Sequence, residues 1–121
     1  LSRKIEWQED KMVICFTGLT SVAALKRELE IPYSTIKKVS AGTFEVSPFS
    51  FRIGTSGIGK NLKEGRFLHN GEWYFLSFEN HEHVVILELE GHEYQKVVFE
   101  HEKPESLLKE ILHRCPQFRA P

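Results

Sequence analysis

Residues 64–112 read EGRFLHNGEWYFLSFENHEHVVILELEGHEYQKVVFEHEKPESLLKEIL, and this stretch decides the fold. It divides into four strand-like runs and one helix. GRFLH (65–69) and EWYFLSF (72–78) meet at Asn70-Gly71. Asn-Gly between apolar-patterned runs is the strongest short-range hairpin signal, because both turn positions need φ > 0. HVVILELE (83–90) and EYQKVVFEH (93–101) meet around Gly91, which predicts a second hairpin. With Gly91-His92-Glu93 as its loop, Glu90 faces Tyr94 and His83 faces His101. Pro104 then suits a first helical position, where its missing N–H is no loss. Leu107, Leu108, Ile111, Leu112 and Cys115 share one face of the following helix, with Lys109, Glu110 and Arg114 on the other, and Pro116 stops it.

Upstream, Ile5 and Trp7 alternate with Lys4, Glu6 and Gln8, as in a half-buried strand. Glu9-Asp10 offers a turn before the apolar run to Phe16. Leu19 to Ile31 fits either a helix capped by Ser21 or a strand. The reading adopted is a helical turn, then a strand from about Leu25 that Pro32 ends. Tyr33 to Lys38 reads as a turn or single-turn helix. Phe44-Glu45-Val46 forms a short strand broken at Ser47-Pro48, Phe49, Phe51 and Ile53 alternate in the next, and Gly54 to Asn61 is loop. No internal repeat or linker interrupts residues 1–121, which read as a single domain. Eight or nine strands and one closing helix predict a mainly β fold. Its sheet bends strongly, or splits into two near-orthogonal sheets, and leaves an apolar end for the helix at about 104–114 to cover.

Composition narrows the function classes. A chain of 121 residues can bury roughly two thirds of its unfolded surface and needs no staple. Sixteen basic residues against seventeen acidic ones give a net charge of −1. That balance lacks the basic footprint of a nucleic-acid binder and any polybasic route to an anionic membrane surface. Cys15 and Cys115 lie far apart, so they suggest neither a zinc site nor a disulfide framework, and Cys15 reads as a small core hydrophobe. With no apolar run of spanning length and no signal-peptide pattern, a cytoplasmic location is expected. The chain opens on Leu1 rather than Met, consistent with trimming upstream.

Several segments, taken in order, resemble bacterial pleckstrin-homology-like domains. They are IPYSTIKKV (31–39), FRIGTSG (51–57), GRFLHNGEWYFL (65–76), HVVILEL (83–89), Tyr94 and EKPESLLKEIL (102–112). The resemblance covers roughly three quarters of the chain and rests on order and spacing, since each motif alone is common. It implies a seven-stranded, two-sheet, partly open antiparallel barrel capped by one helix, with no catalytic activity or cofactor. Phosphoinositide binding does not carry over. The stretch Arg3-Lys4-Ile5-Glu6-Trp7-Gln8-Glu9-Asp10-Lys11 interleaves acids with its bases, and the closing helix has no Trp.

Candidate sites are few. Gly54-Thr55-Ser56-Gly57-Ile58-Gly59-Lys60-Asn61 nearly matches a phosphate-binding loop, but Asn61 replaces the magnesium-binding hydroxyl and no long helix follows. A plain inter-strand loop is the stronger reading; the residual one is an anion or ligand loop using Lys60, Lys63 and Arg66. His83 and His101, facing across a ladder with His81 and Glu79 near, are the metal candidate, outweighed by solvated hairpin-end residues. No nucleophile with an identifiable base emerges. Trp73-Tyr74-Phe75-Leu76 is apolar on both strand faces and Val84 to Leu87 is continuously apolar, so each needs cover on two sides. The expectation is a non-catalytic binding or assembly module. It would contact a protein partner or itself, as a homo-oligomer, through a sheet edge or apolar strand face. The alternatives are a small anionic ligand or lipid headgroup at 54–66 and, more weakly, a metal.

Overall fold

The structure is a computed structural model, described over residues 2–17, 28–45 and 63–118. Strands β1 (Ser2–Trp7), β2 (Lys11–Thr17) and β3 (Glu28–Pro32) form an antiparallel sheet in that order. A 3-10 turn at Tyr33–Thr35 leads into the second sheet. Its strands are β4 (Ile36–Gly42), β5 (Lys63–His69), β6 (Glu72–Phe78), β7 (Val84–Leu89) and β8 (Lys96–Glu100), in spatial order β4-β7-β8-β6-β5. Helix α1 spans Pro104–Arg114 and is followed by a 3-10 turn at Pro116–Phe118. The fold class matches the sequence reading: mainly β, two sheets not closed into a barrel, and one C-terminal helix.

Both hairpins form at the expected turns and the second keeps the expected register, but residues 90–95 join its strands rather than Gly91-His92-Glu93 alone, and Glu90 N–H donates to Thr35 O instead of pairing with Tyr94. β5 and β6 pair from Lys63↔Phe78 to His69↔Glu72, and the turn holds Asn70 at φ 51° and Gly71 at φ 79°. β7 and β8 pair from Val84↔Glu100 to Glu88↔Lys96. One step beyond the ladder, His101 N–H donates to His83 O at 3.1 Å, so these two histidines do face each other. The strand after Glu28 also ends at Pro32, as expected.

Three further features depart from expectation. β8 pairs in parallel with β6, Tyr74↔Lys96 through Ser77↔Phe99, so the second sheet is not wholly antiparallel. Val97, Val98 and Phe99 are all 0 % exposed. A strand apolar on both faces is best buried inside a sheet, and β8 achieves this by entering between β7 and the β5–β6 hairpin. The second departure is β4, which occupies much of the expected turn at 33–38. Its register with β7 shifts between Ile36 and Lys38, and this irregularity breaks the period-two pattern that would announce a strand. The third is that Phe44 and Glu45 lie outside any strand. The readings made for 46–62 and for 18–27 fall outside the described residues.

The core lies in two layers. Between the sheets, Met12, Ile14, Phe16, Leu29 and Ile31 meet Phe75, Val85, Leu87, Val97 and Phe99, and α1 adds Leu107 and Ile111, with Cys115 at its C-cap. Phe16 and Phe75 rings sit 5.5 Å apart. On the other face of the second sheet, Phe67, Leu76, Phe78, Val84 and Val98 are all fully buried, with Phe44 and Tyr74 beside them. The doubly apolar runs thus find cover on both sides, each large side chain contributing about 1.5–3 kcal/mol of transfer free energy. The apolar stripe of α1 is narrower than its sequence suggests, since Leu112 is 37 % exposed.

Candidate functional site

With the apolar faces of the second sheet buried, the described residues offer sheet edges, and the outer edge of β1 carries no ladder partner among them. Gln8 N–H donates to Lys11 O at 2.9 Å, which makes Gln8 and Lys11 a hydrogen-bonded pair. Antiparallel pairs alternate, so Glu6↔Val13, Lys4↔Cys15 and Ser2↔Thr17 are bonded pairs too. The N–H and C=O groups of Arg3, Ile5 and Trp7 therefore point away from β2. β1 runs six residues in unbroken register without proline or bulge. A cleft of about 350 Å³ between Ser2, Arg3, Lys4 and Glu100, His101, Glu102 flanks one end of it. Another of about 440 Å³, lined by Gln8, Glu9, Tyr33, Glu110, His113 and Arg114, flanks the other.

The β3 edge and the start of the β4 edge are partly occupied or blunted. On β3, Pro32 lacks a donor, and Glu30 O receives a hydrogen bond from His92 Nε2 at 2.8 Å. The tautomer follows from the second ring nitrogen: Nδ1 accepts Tyr94 N–H at 3.1 Å, so the proton sits on Nε2. At the start of β4, Gln117 Nε2 donates to Tyr33 O at 2.7 Å and to Ile36 O at 3.0 Å.

A buried polar clamp fixes β1 in place. Arg3 Nη2 lies 2.7 Å from Glu64 Oε1, and Arg3 Nε donates to Ser77 Oγ at 2.8 Å. Ser77 Oγ in turn donates toward Glu64, 3.0 Å from Oε2. The Arg3 and Glu64 side chains are only 6 % and 5 % exposed. Burial pushes the Glu64 carboxyl above its ordinary range, against the opposing pull of Arg3 and of Ser77. Removing one partner of such a pair typically costs about 3–5 kcal/mol, because the other charge stays buried. The clamp joins the first sheet to β5 and β6 through side chains, and the outward backbone of β1 stays unpaired among the described residues. At the other end of β1, the Arg114 guanidinium lies 4.6 Å from the Trp7 ring centroid.

The anion-loop residues are not brought together among the described residues. Lys60 and the glycine-rich segment lie outside them, and Lys63 is placed only as the first residue of β5. Arg66 is half-buried, stacked 5.0 Å over the Trp73 ring, with no carboxylate at ion-pair distance among the described residues. Its charge also acts on Tyr94, whose buried hydroxyl has no hydrogen-bond partner.

His83 and His101 face each other, but ring nitrogens of the metal candidates are engaged within the chain. His101 Nδ1 accepts Lys103 N–H at 3.1 Å, and His81 Nδ1–H donates to Phe44 O at 3.0 Å. No group of three or more His, Cys, Asp or Glu that could hold a metal gathers among the described residues. Cys15 corrects the reading that packed it in the core: it is half-buried on the outer face of β2, beside Glu6 and Glu28. Partial burial, followed by those two carboxylates, pushes its thiol up, the reverse of what a nucleophile needs.

Sequence reasoning missed the β1 edge and its clamp. The alternation of Ile5 and Trp7 disclosed a strand, but nothing local tells an edge strand from a central one, and Arg3 and Glu64 are 61 residues apart. Among the described residues no helix is long and apolar enough to cross a membrane. Comparison with protein-family models, with curated proteins and with solved structures finds no match to this chain.

Proposed function

We propose that this chain is a non-catalytic binding module of the pleckstrin-homology-like kind, which engages protein chains by strand addition at the outer edge of β1. One observation supports the reading above others: Arg3, Ile5 and Trp7 present a regular row of outward backbone donors and acceptors while both apolar faces of the second sheet are buried. An added strand satisfies such a row through main-chain hydrogen bonds, and alternate side chains then read the partner. Among the described residues the large exposed apolar side chains are Leu68 and Leu112, too few for a docking face of their own.

Panning a library of extended peptides on the protein tests this. Binders should be enriched that no longer bind Ile5→Pro, which removes one outward N–H at an edge position where proline is tolerated. Circular dichroism checks that the variant keeps its fold. A library yielding no binders, or binders indifferent to the proline, overturns the reading.

A second reading, an anionic ligand at Arg66, draws on its stacked guanidinium lacking a carboxylate among the described residues and on the nearby orphaned Tyr94 hydroxyl. Thermal shifts with inorganic phosphate, lost in Arg66→Gln, would support it; identical curves with and without phosphate dismiss it.

A further inference from the structure

We propose that the occupant of the β1 edge is the β1 of a second copy, paired antiparallel about a two-fold axis at Ile5. The inference rests on the strand-addition reading above and adds the partner and the register. In this pairing Ile5 meets Ile5 of the partner subunit, and Arg3 meets Trp7 of the partner subunit. Those are the residues whose backbone groups face outward, so every outward donor finds an acceptor. The two three-stranded sheets become one continuous sheet, and the contact is isologous and closed.

Charge selects this register over its neighbours. Lys4 and Glu6 project from the exposed face of β1, and neither has an ion-pair partner among the described residues. Glu6 receives only the Gln8 side-chain amide, at 3.1 Å, and the Cys15 thiol, at 3.9 Å. With the axis at Ile5, Lys4 lies opposite the partner's Glu6, and Glu6 opposite the partner's Lys4. Sliding one strand by two residues keeps the hydrogen-bonding parity, but it sets Lys4 against Lys4 of the partner subunit, or Glu6 against Glu6 of the partner subunit. Odd slips mismatch the backbone groups altogether. Directly opposed like charges destabilise a strand pair and opposite charges stabilise it, so one register of the set is favoured. Ile5 and Trp7, each half-buried in the single chain, gain cover on the inner face.

Sedimentation equilibrium on the full chain tests this, with Lys4→Glu, Glu6→Lys and the double reversal Lys4→Glu/Glu6→Lys. Each single change opposes like charges at two symmetric places and should weaken the dimer about tenfold or more; the double change should restore it to within about threefold. Hydrogen exchange on the wild type gives a readout that needs no variant. On dimerisation the amides of Arg3, Ile5 and Trp7 should slow, while Lys4 and Glu6, already bonded to β2, change little. A dimer lost in Ile5→Pro but indifferent to the charge reversals overturns the register and leaves the strand-addition reading intact. A monomer at millimolar concentration overturns self-pairing, and the peptide library then decides alone whether the edge binds at all.

Discussion

Tyr94 is the residue whose chemistry is least satisfied. It is 1 % exposed, packed 5.5 Å from the Phe75 ring and 5.8 Å from His92, and its hydroxyl has no partner. Burial, with a smaller contribution from Glu93, raises its phenol from 10.0 to about 12 against the pull of Arg66. The neutral form is thus favoured in the folded state. Below pH 10 both folded and unfolded chains keep the proton and nothing changes; between 10 and about 12 the unfolded chain loses it first, and stability falls. Tyr94→Phe should therefore hold or gain about 0.5–2 kcal/mol at neutral pH, since an orphaned hydroxyl is removed. It should also lose less stability than the parent between pH 9 and 11, as urea titrations at both values would show. A variant clearly weaker at neutral pH would mean that the hydroxyl has a partner after all.

Among the elements, α1 is legible in its residues and yet imperfectly built. Pro104 starts it and Leu107 and Ile111 bury as their spacing requires, but its N-cap is Lys103, which offers no side-chain hydrogen bond. A cation there also opposes the helix dipole. Lys103→Asp should stabilise the protein by about 0.5–2 kcal/mol, read as a raised Tm; an unchanged Tm would show that His101, which takes the Lys103 N–H, already fixes the helix entry. The hairpins were equally legible, because Asn70-Gly71 and Gly91 carry their own turn chemistry and set the register of every pair beyond them. β4 was not, because an irregularity between Ile36 and Lys38 interrupts its alternation. The placement of β8 was not either: Val97, Val98 and Phe99 demand cover on both faces, a demand that several neighbours could meet. The candidate site shares this limit, since an edge is defined by what fails to pair with it, and that is a property of the whole sheet.

On the scale of the whole molecule, the two apolar layers raise the question of whether they fold as one unit. The interior layer holds Leu87 and the outer layer Leu76, each 0 % exposed. Both layers share the backbone of the second sheet, and β8 contributes Val97 to one and Val98 to the other. Loss of packing on either face should therefore loosen the same ladder. Leu76→Ala and Leu87→Ala are each expected to cost about 2–5 kcal/mol, the range for emptying a buried leucine site. Both should shift a single urea transition to lower midpoint without changing its slope. If the outer layer were a separate unit, Leu76→Ala would split the transition or flatten it, with near-ultraviolet and far-ultraviolet signals departing from one another. Coincident signals would establish that the sheet couples its two faces. The Arg3–Glu64–Ser77 clamp would then bind β1 to that same unit, so that its open edge is held by the stability of the entire fold.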